Sequence, residues 1–174
     1  MSESEPHFSI PETSPTLPIS LTPAQTRVYT HMTFGLKERE IAERLGITPS
    51  TVRQTKNVIL RRFGVKTGDL AVFRGVANGM VQLEAAIADF TVNPDLKLLP
   101  VEYDVMGVLT DPPGIDNSNR VIGETLGISP FVVKNTLSTV YSMLGVDKRT
   151  QAGLVYLAMQ RGLRNSPKNN LILQ

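Results

Sequence analysis

The 174-residue chain is 41% hydrophobic, enough for globular folding, and no apolar run approaches the ~18 residues of a membrane span. Cysteine is absent, which excludes disulfides and thiolate metal sites. Met1 leads into a Ser-, Glu- and Pro-rich stretch without the apolar core of a signal peptide, so a cytoplasmic protein is the simple reading. The net charge of +2 is uneven: residues 1–16 hold three acids and no Lys or Arg, whereas residues 17–82 hold ten basic and four acidic side chains. That excess favours a polyanion, although a solvated helix face also carries such charge.

Residues 1–20 set Pro6, Pro11, Pro15 and Pro18 among Ser, Thr and Glu, the composition of a disordered or loosely docked arm. Thr22-Pro23 then starts a helix with Thr22 as N-cap, and Val28 and Met32 give it an apolar edge as far as Phe34-Gly35. The spacing of Ile41, Ala42 and Leu45 predicts a second helix over about Glu38–Leu45, ended by Gly46 in the left-handed conformation. Thr48 caps and Pro49 opens a third helix with Val52, Ile59 and Phe63 facing inward, and Gly64 closes it. Asp69 is expected to cap a fourth running to about Asn78-Gly79, with Leu70, Val72, Phe73 and Val76 as its apolar residues. Residues 83–90 read as a further short helix before Asn93-Pro94-Asp95 breaks the chain. A helix at about Val101–Leu109 follows, then a polar, Pro-bearing loop to Asn119. Helices at about Asn119–Leu126, Pro130–Leu144 and Gln151–Arg161 complete the plan, the last capped by Thr150. No strand pattern competes, so the fold is expected to be all-α.

The chain also repeats itself. A shift of 81 residues lays Leu45 on Leu126, Gly46 on Gly127, Pro49 on Pro130, Val52 on Val133, Gly64 on Gly145 and Ala71 on Ala152. Such a period means two copies of one small helical unit. It divides the chain into an arm 1–20, a first domain 21–82, a linker 83–98, a second domain 99–165 and a tail 166–174. The loop after Leu109 is about three residues longer than its counterpart. In each copy a helix, a tight turn through Gly46-Ile47-Thr48 or Gly127-Ile128-Ser129 and a longer helix make a helix-turn-helix. In that motif the second helix lies in the major groove while the first crosses the DNA backbone, so the reading helices are 49–63 and 130–144.

Within 49–63, Ser50, Arg53, Gln54, Asn57 and Arg61 share one polar face opposite Val52, Ile59 and Phe63. Arg holds a guanine bidentately or a phosphate, and Gln54 and Asn57 suit adenine. Thr51, Lys56, Arg61 and Arg62 are the expected phosphate contacts. In 130–144 the matching face is Phe131, Lys134, Asn135, Ser138 and Ser142, with Lys134, Asn135 and Ser138 facing DNA and much less charge. Phe131, at the helix start, either meets a thymine methyl or belongs with Met143 to a protein interface; both readings stay open.

The two copies resemble the LuxR/GerE-type helix-turn-helix transcription regulators. That family's module opens with Leu-Thr-x-x-Glu, continues with Ile-Ala-x-x-Leu-x-Ile-Ser and Thr-Val-Lys, and closes with Leu-Gly-Val and a fourth helix beginning near Thr-x-Ala. The first copy has Leu21-Thr22-Pro23, Ile41-Ala42, Leu45, Ile47-Thr48, Thr51-Val52-Arg53 and Phe63-Gly64-Val65. The second has Leu126-Gly127-Ile128-Ser129, Val133-Lys134-Asn135, Leu144-Gly145-Val146 and Thr150-Gln151-Ala152. Matches cover about 17–82 and 99–165, and the fourth helix favours this family over the related sigma-factor region, which resembles the first three helices only. The resemblance implies two tandem four-helix modules joined by a partly helical linker, in a transcription regulator that reads double-stranded DNA without a cofactor. It makes Arg53 the counterpart of the family's DNA-contacting Lys or Arg. Two residues depart from the pattern. Lys56 stands at a usually apolar position, where the second copy has Leu137, its stem expected along the core edge and its ammonium at a phosphate. Lys37 replaces the Ser-like cap of the second helix, which is expected to fray there.

Single-module relatives usually dimerise, often through the fourth helix, and read half-sites about one DNA turn apart. One chain with two copies could therefore be a covalent pseudo-dimer reading an asymmetric site. The roughly 17 residues from Val81 to Leu99 reach up to ~55 Å, beyond the ~34 Å between adjacent half-sites. A homodimer through Leu70, Phe73, Leu154 or Leu157 stays open, core packing being the commoner use of such residues. The rival reading is a protein-interaction adaptor whose second repeat docks RNA polymerase or another regulator. Enzymatic readings are poor. His7 and His31 have no ligand or triad spacing, Gly75 and Gly79 make no phosphate loop, and Asp104, Asp111 and Asp116 fit no calcium loop. Neither a metal nor a cofactor is expected.

Overall fold

Helix boundaries in this chain follow from its caps. The computed structural model describes residues 19–93 and 95–164; the expectations for the arm before Ile19 and for the tail 166–174 lie outside the described residues. Helix α1 (Pro23–Thr33) starts where the Thr22 hydroxyl accepts the Gln25 amide at 3.4 Å and the Gln25 side chain accepts the Thr22 amide at 3.1 Å. α2 (Glu38–Leu45) ends at Gly46 with φ 63°, and α3 (Pro49–Phe63) ends at Gly64 with φ 60°, the left-handed conformation that glycine adopts without a steric penalty. There follow α4 (Gly68–Ala77), the single turn α5 (Leu83–Ala86), α6 (Pro100–Thr110), α7 (Asn119–Leu126), α8 (Pro130–Leu144) and α9 (Arg149–Gln160). Among the described residues there is no strand, and the chain is all-α. The bounds of α2 and α3 become those of α7 and α8 under the same 81-residue shift.

Three boundaries differ from expectation. α4 and α9 begin at Gly68 and Arg149, so Asp69 and Thr150 sit inside the first turn instead of capping it. Thr67 and Lys148 hold the extended cap positions, because Asp69 is drawn to Arg149 and Asn117, and Thr150 is buried. The helix expected over 83–90 makes one turn only. Beyond it the backbone tightens, with the Phe90 amide donating to the Ile87 carbonyl at 2.9 Å, and this brings Val92 into the core beside Leu83, Ala86 and Ile87.

Each half lays its first helix across its third and its last: α1 packs on α3 and α4, α6 on α8 and α9. In the first half Tyr29 stacks on Phe63 with ring centroids 5.2 Å apart and donates its hydroxyl to the Ala71 carbonyl at 3.0 Å. Burial pushes that phenol well above its ordinary pKa. Gly75 makes room for it, since a Cβ there would stand 1.8 Å from the Tyr29 hydroxyl.

α4 and α9 then pack on each other, with α5 resting on α9 and α6 on α4. Phe73 of α4 lies over Gly153 of α9, where a Cβ would come within 2.2 Å of the ring. The starts of the two helices lie side by side, joined by the Arg149–Asp69 ion pair at 3.0 Å, and each reaches into the other half. At the start of α4, Thr67 and Asp69 bond Asn117, just ahead of α7, at 2.7 and 3.2 Å. At the start of α9, Lys148 and Thr150 close on Gly35, just ahead of α2, where an added Cβ would meet Lys148 Cδ at 3.0 Å and Thr150 Cβ at 3.6 Å. The repeat shift carries Thr67 to Lys148 and Asp69 to Thr150, while Asn117 falls on Leu36, the neighbour of Gly35, so the halves touch through corresponding segments in exchange, one residue out of register.

Gly153→Ala should destabilise the chain by about 1–3 kcal/mol in equilibrium urea unfolding, because the added methyl overpacks the seam. Adding Phe73→Leu should cost less in that background than in the wild type. Strictly additive losses would mean that the two residues do not touch.

Candidate nucleic-acid interface

The turn between α2 and α3 is set by backbone bonds before any side chain acts. The Ile47 amide donates to the Ala42 carbonyl at 3.1 Å, and the Thr48 hydroxyl accepts the Thr51 amide at 3.1 Å. In the second half the Ile128 amide donates to the Gly123 carbonyl at 3.0 Å and the Ser129 hydroxyl accepts the Val132 amide at 3.2 Å. A Cβ on Gly123 would stand 2.6 Å from the Ile128 carbonyl oxygen, so this turn is closed tightly, whereas Ala42 occupies the equivalent place in the first.

Burying Val52, Ile59 and Phe63 turns the opposite face of α3 outward. Ser50, Thr51, Arg53, Gln54, Asn57, Arg61 and Arg62 are all exposed, and Lys56 is half-buried. The face is not a free array of cations. Glu38, at the start of α2, pairs with both Arg53 Nε at 3.5 Å and Lys56 Nζ at 3.4 Å. The stem of Lys56 runs beside Gly68, and the ammonium meets Glu38. Arg62 donates to the Ser20 carbonyl and so pins the chain where it enters α1. The Thr51 hydroxyl bonds that of Thr48 at 2.9 Å. An exposed ion pair is worth less than about 1 kcal/mol, so Arg53, its side chain 65% exposed, is released to a polyanion at small cost.

The face of α8 has the same geometry and other chemistry. Lys134, Asn135 and Ser138 are exposed, as are Phe131 at 69%, Val132 and Met143. Lys134 is the single cation on this helix, against four on α3.

Lys37 lacks a side-chain cap, yet α2 starts cleanly. The Glu40 carboxylate accepts the Lys37 amide at 2.6 Å, half of a capping box, which replaces the expected fraying. That amide holds the Glu40 carboxyl below its usual pKa, with Lys148, Lys37 and Arg44 adding to the effect. His31 sits half-buried at the core edge, its Nδ1 without a partner among the described residues.

The polar network joining the halves leaves little trace in the sequence. Asn117, in a loop that reads as solvated, is completely buried; it bonds Thr67, Asp69 and the Leu109 carbonyl. Arg149 pairs with Asp69 at 3.0 Å and donates to Asn119 at 2.7 Å. The only cue was the extra loop length. Among the described residues no group of His, Asp or Glu gathers in the arrangement a metal needs, and no helix is long and apolar enough to cross a membrane.

Residues 20–57 match the family described as Sigma-70, region 4, a DNA-binding helix-turn-helix related to the LuxR/GerE type. The matched stretch covers α1, α2 and the outward-facing first part of α3, and it ties this part of the chain to DNA binding and transcription. No curated protein and no solved structure matches the chain.

Glu40 gives a pH test of the α2 cap. Its folded pKa lies below the unfolded one, so its contribution is present above the ordinary glutamate value and is lost as pH falls through the depressed one. The Lys37 amide resonance should titrate with a midpoint below the ordinary glutamate value. In Glu40→Gln that titration should vanish while the helices persist.

Proposed function

We propose that this chain is a sequence-specific double-stranded DNA-binding regulator of transcription, built as a covalent pseudo-dimer of two LuxR/GerE-like modules. One observation carries the reading: α4 and α9, equivalent under the repeat, pack on each other, and the segments around their starts reach into corresponding segments of the other half, as in a two-fold dimer. A head-to-tail repeat array would instead bring unlike positions together at its seam. A two-fold arrangement suits duplex DNA, whose successive major-groove faces are related by local dyads. The residues 21–82 and 99–165 then serve as two DNA-reading domains, with 83–98 as a packed connection.

The two reading helices divide the work unequally. α3 supplies the charge: Arg61 and Arg62 bind phosphate, Lys56 and Thr51 flank them, and Arg53, Gln54, Asn57 and Ser50 face base edges. α8, with Lys134, Asn135 and Ser138, adds contacts at a flanking element. An asymmetric site follows, since the two helices present different side chains. The Sigma-70 region 4 likeness supports a setting in transcription and makes RNA polymerase a natural neighbour. A second reading rests on Phe131: a ring 69% exposed beside Val132, on the helix where cations are scarce, fits a protein partner such as polymerase or another regulator.

Capture of random genomic fragments by the purified chain tests the reading. The wild type should enrich an asymmetric two-part sequence, and Arg53→Ala with Lys134→Ala should lose it. Arg61→Ala should weaken binding to all sequences alike and reduce the salt dependence of log K by about 0.9. Arg53→Ala alone should cost about 1–3 kcal/mol and relax preference at one base position. Fragments retained no better than by a carrier protein would leave the adaptor reading in its place.

A further inference from the structure

We infer that the loop 111–118, with Asn117 as its buried pin, is a strut that sets the separation at which α3 and α8 engage DNA; the inference rests on the two-helix reading above. The strut begins at the end of α3. Arg74 Nη1 donates to the carbonyls of Phe63 at 3.0 Å and Gly64 at 3.3 Å, the last groups of that helix. Its Nη2 donates to the Gly114 carbonyl at 2.9 Å, and the Lys66 amide donates to the Ile115 carbonyl at 2.8 Å. The C-terminus of one reading helix is thus bonded to the loop that leads into the other half.

Two residues further on, Asn117 uses its whole amide. Oδ1 accepts the Thr67 hydroxyl at 2.7 Å, while Nδ2 donates to the Asp69 carboxylate at 3.2 Å and to the Leu109 carbonyl at 2.8 Å. Arg149 closes the path. It pairs with Asp69, donates to the Asn117 carbonyl, and reaches Asn119 Oδ1 at 2.7 Å. Asn119 is the first residue of α7, which packs on α8.

Beside the same Asp69–Arg149 ion pair, Gly35 approaches Lys148 and Thr150 with no hydrogen bond to either among the described residues. The atoms nearest to a Cβ added at Gly35 would be aliphatic ones, Lys148 Cδ at 3.0 Å and Thr150 Cβ at 3.6 Å. Apolar helix seams permit small sliding shears. Directional bonds from a buried amide resist them, because every bond broken leaves a buried donor or acceptor unpaired. Affinity therefore belongs to the basic face of α3, and spacing belongs to the strut. Arg74, Asp69, Asn117 and Arg149 are positioning residues that touch no DNA.

The test is selection from a random-sequence duplex library with the full chain, followed by binding to selected duplexes whose two elements are moved apart or together by one or two base pairs. The wild type should select paired elements at one separation and lose roughly tenfold in affinity when it changes, as expected when a tethered second contact fails to reach. Asn117→Ala should keep both elements and accept several separations with affinities within about threefold of one another. Arg74→Met, on a half-buried side chain outside both reading helices, should do the same and serves where Asn117→Ala lowers the fraction of folded chain, as read from its helical melting curve. Variants that retain the single wild-type separation, or that lose affinity equally at every separation, would overturn the strut and leave the DNA-reading function standing. A wild type that selects no paired element removes both.

Discussion

The seam between α4 and α9 is the constraint on which the other features depend. A four-helix unit of roughly 65 residues buries a smaller fraction of its surface than a larger domain does and is marginal alone. Here α4 is buried almost all round: Leu70, Ala71, Val72, Phe73, Gly75 and Val76 are all in the core. α9 likewise buries the run Ala152–Tyr156. A helix apolar on every side belongs inside a larger body. The fourth helix of each half is therefore an interior element of the whole chain, and α3 and α8 are held by that shared interior. The segment after α4 joins it too, through Leu83, Ala86, Ile87 and Val92.

Much of this was legible because capping chemistry is local. Thr22 with Gln25, Thr48-Pro49, Ser129-Pro130 and the glycines at 46, 64, 127 and 145 mark helix ends through bonds and conformations that involve only a few neighbouring residues. The outward face of α3 was legible for a similar reason, since helical periodicity alone separates Arg53 and Asn57 from Val52 and Ile59. What was not legible depends on residues far apart in the chain. Asp69 and Thr150 look like caps, and nothing nearby says that one is claimed by Arg149 and the other by the seam. Asn117 looks like a solvated loop residue, and its partners lie up to 50 residues away. Glu38 pairs with Arg53 and Lys56 across the helix turn, a tertiary contact that linear reading does not supply.

The charge distribution acquires a structural meaning. The halves share a backbone plan, but the sites equivalent to Lys56 and Arg61-Arg62 are Leu137 and Ser142-Met143. Where α3 places a half-buried Lys against Glu38, α8 buries Leu137, which packs better and attracts no anion. Glu38 itself becomes Asn119, which serves Arg149 at the junction between the halves. The second half has exchanged surface charge for internal bonds, and its outer face is left to Phe131, Lys134 and Asn135.

The phenylalanine facing a glycine across the seam also governs which helices choose one another. The position equivalent to Gly153 in the first half is Val72, so two first halves meeting in the same way would drive Phe73 into a branched side chain. The lock fits only its own key. A dimer of identical subunits must place the same residue on both sides of its axis, whereas fusion into one chain lets a bulge on one side answer a hollow on the other. The bulge of Phe73 answering the hollow at Gly153 thus favours pairing of the chain's own two halves over pairing of a first half with its like.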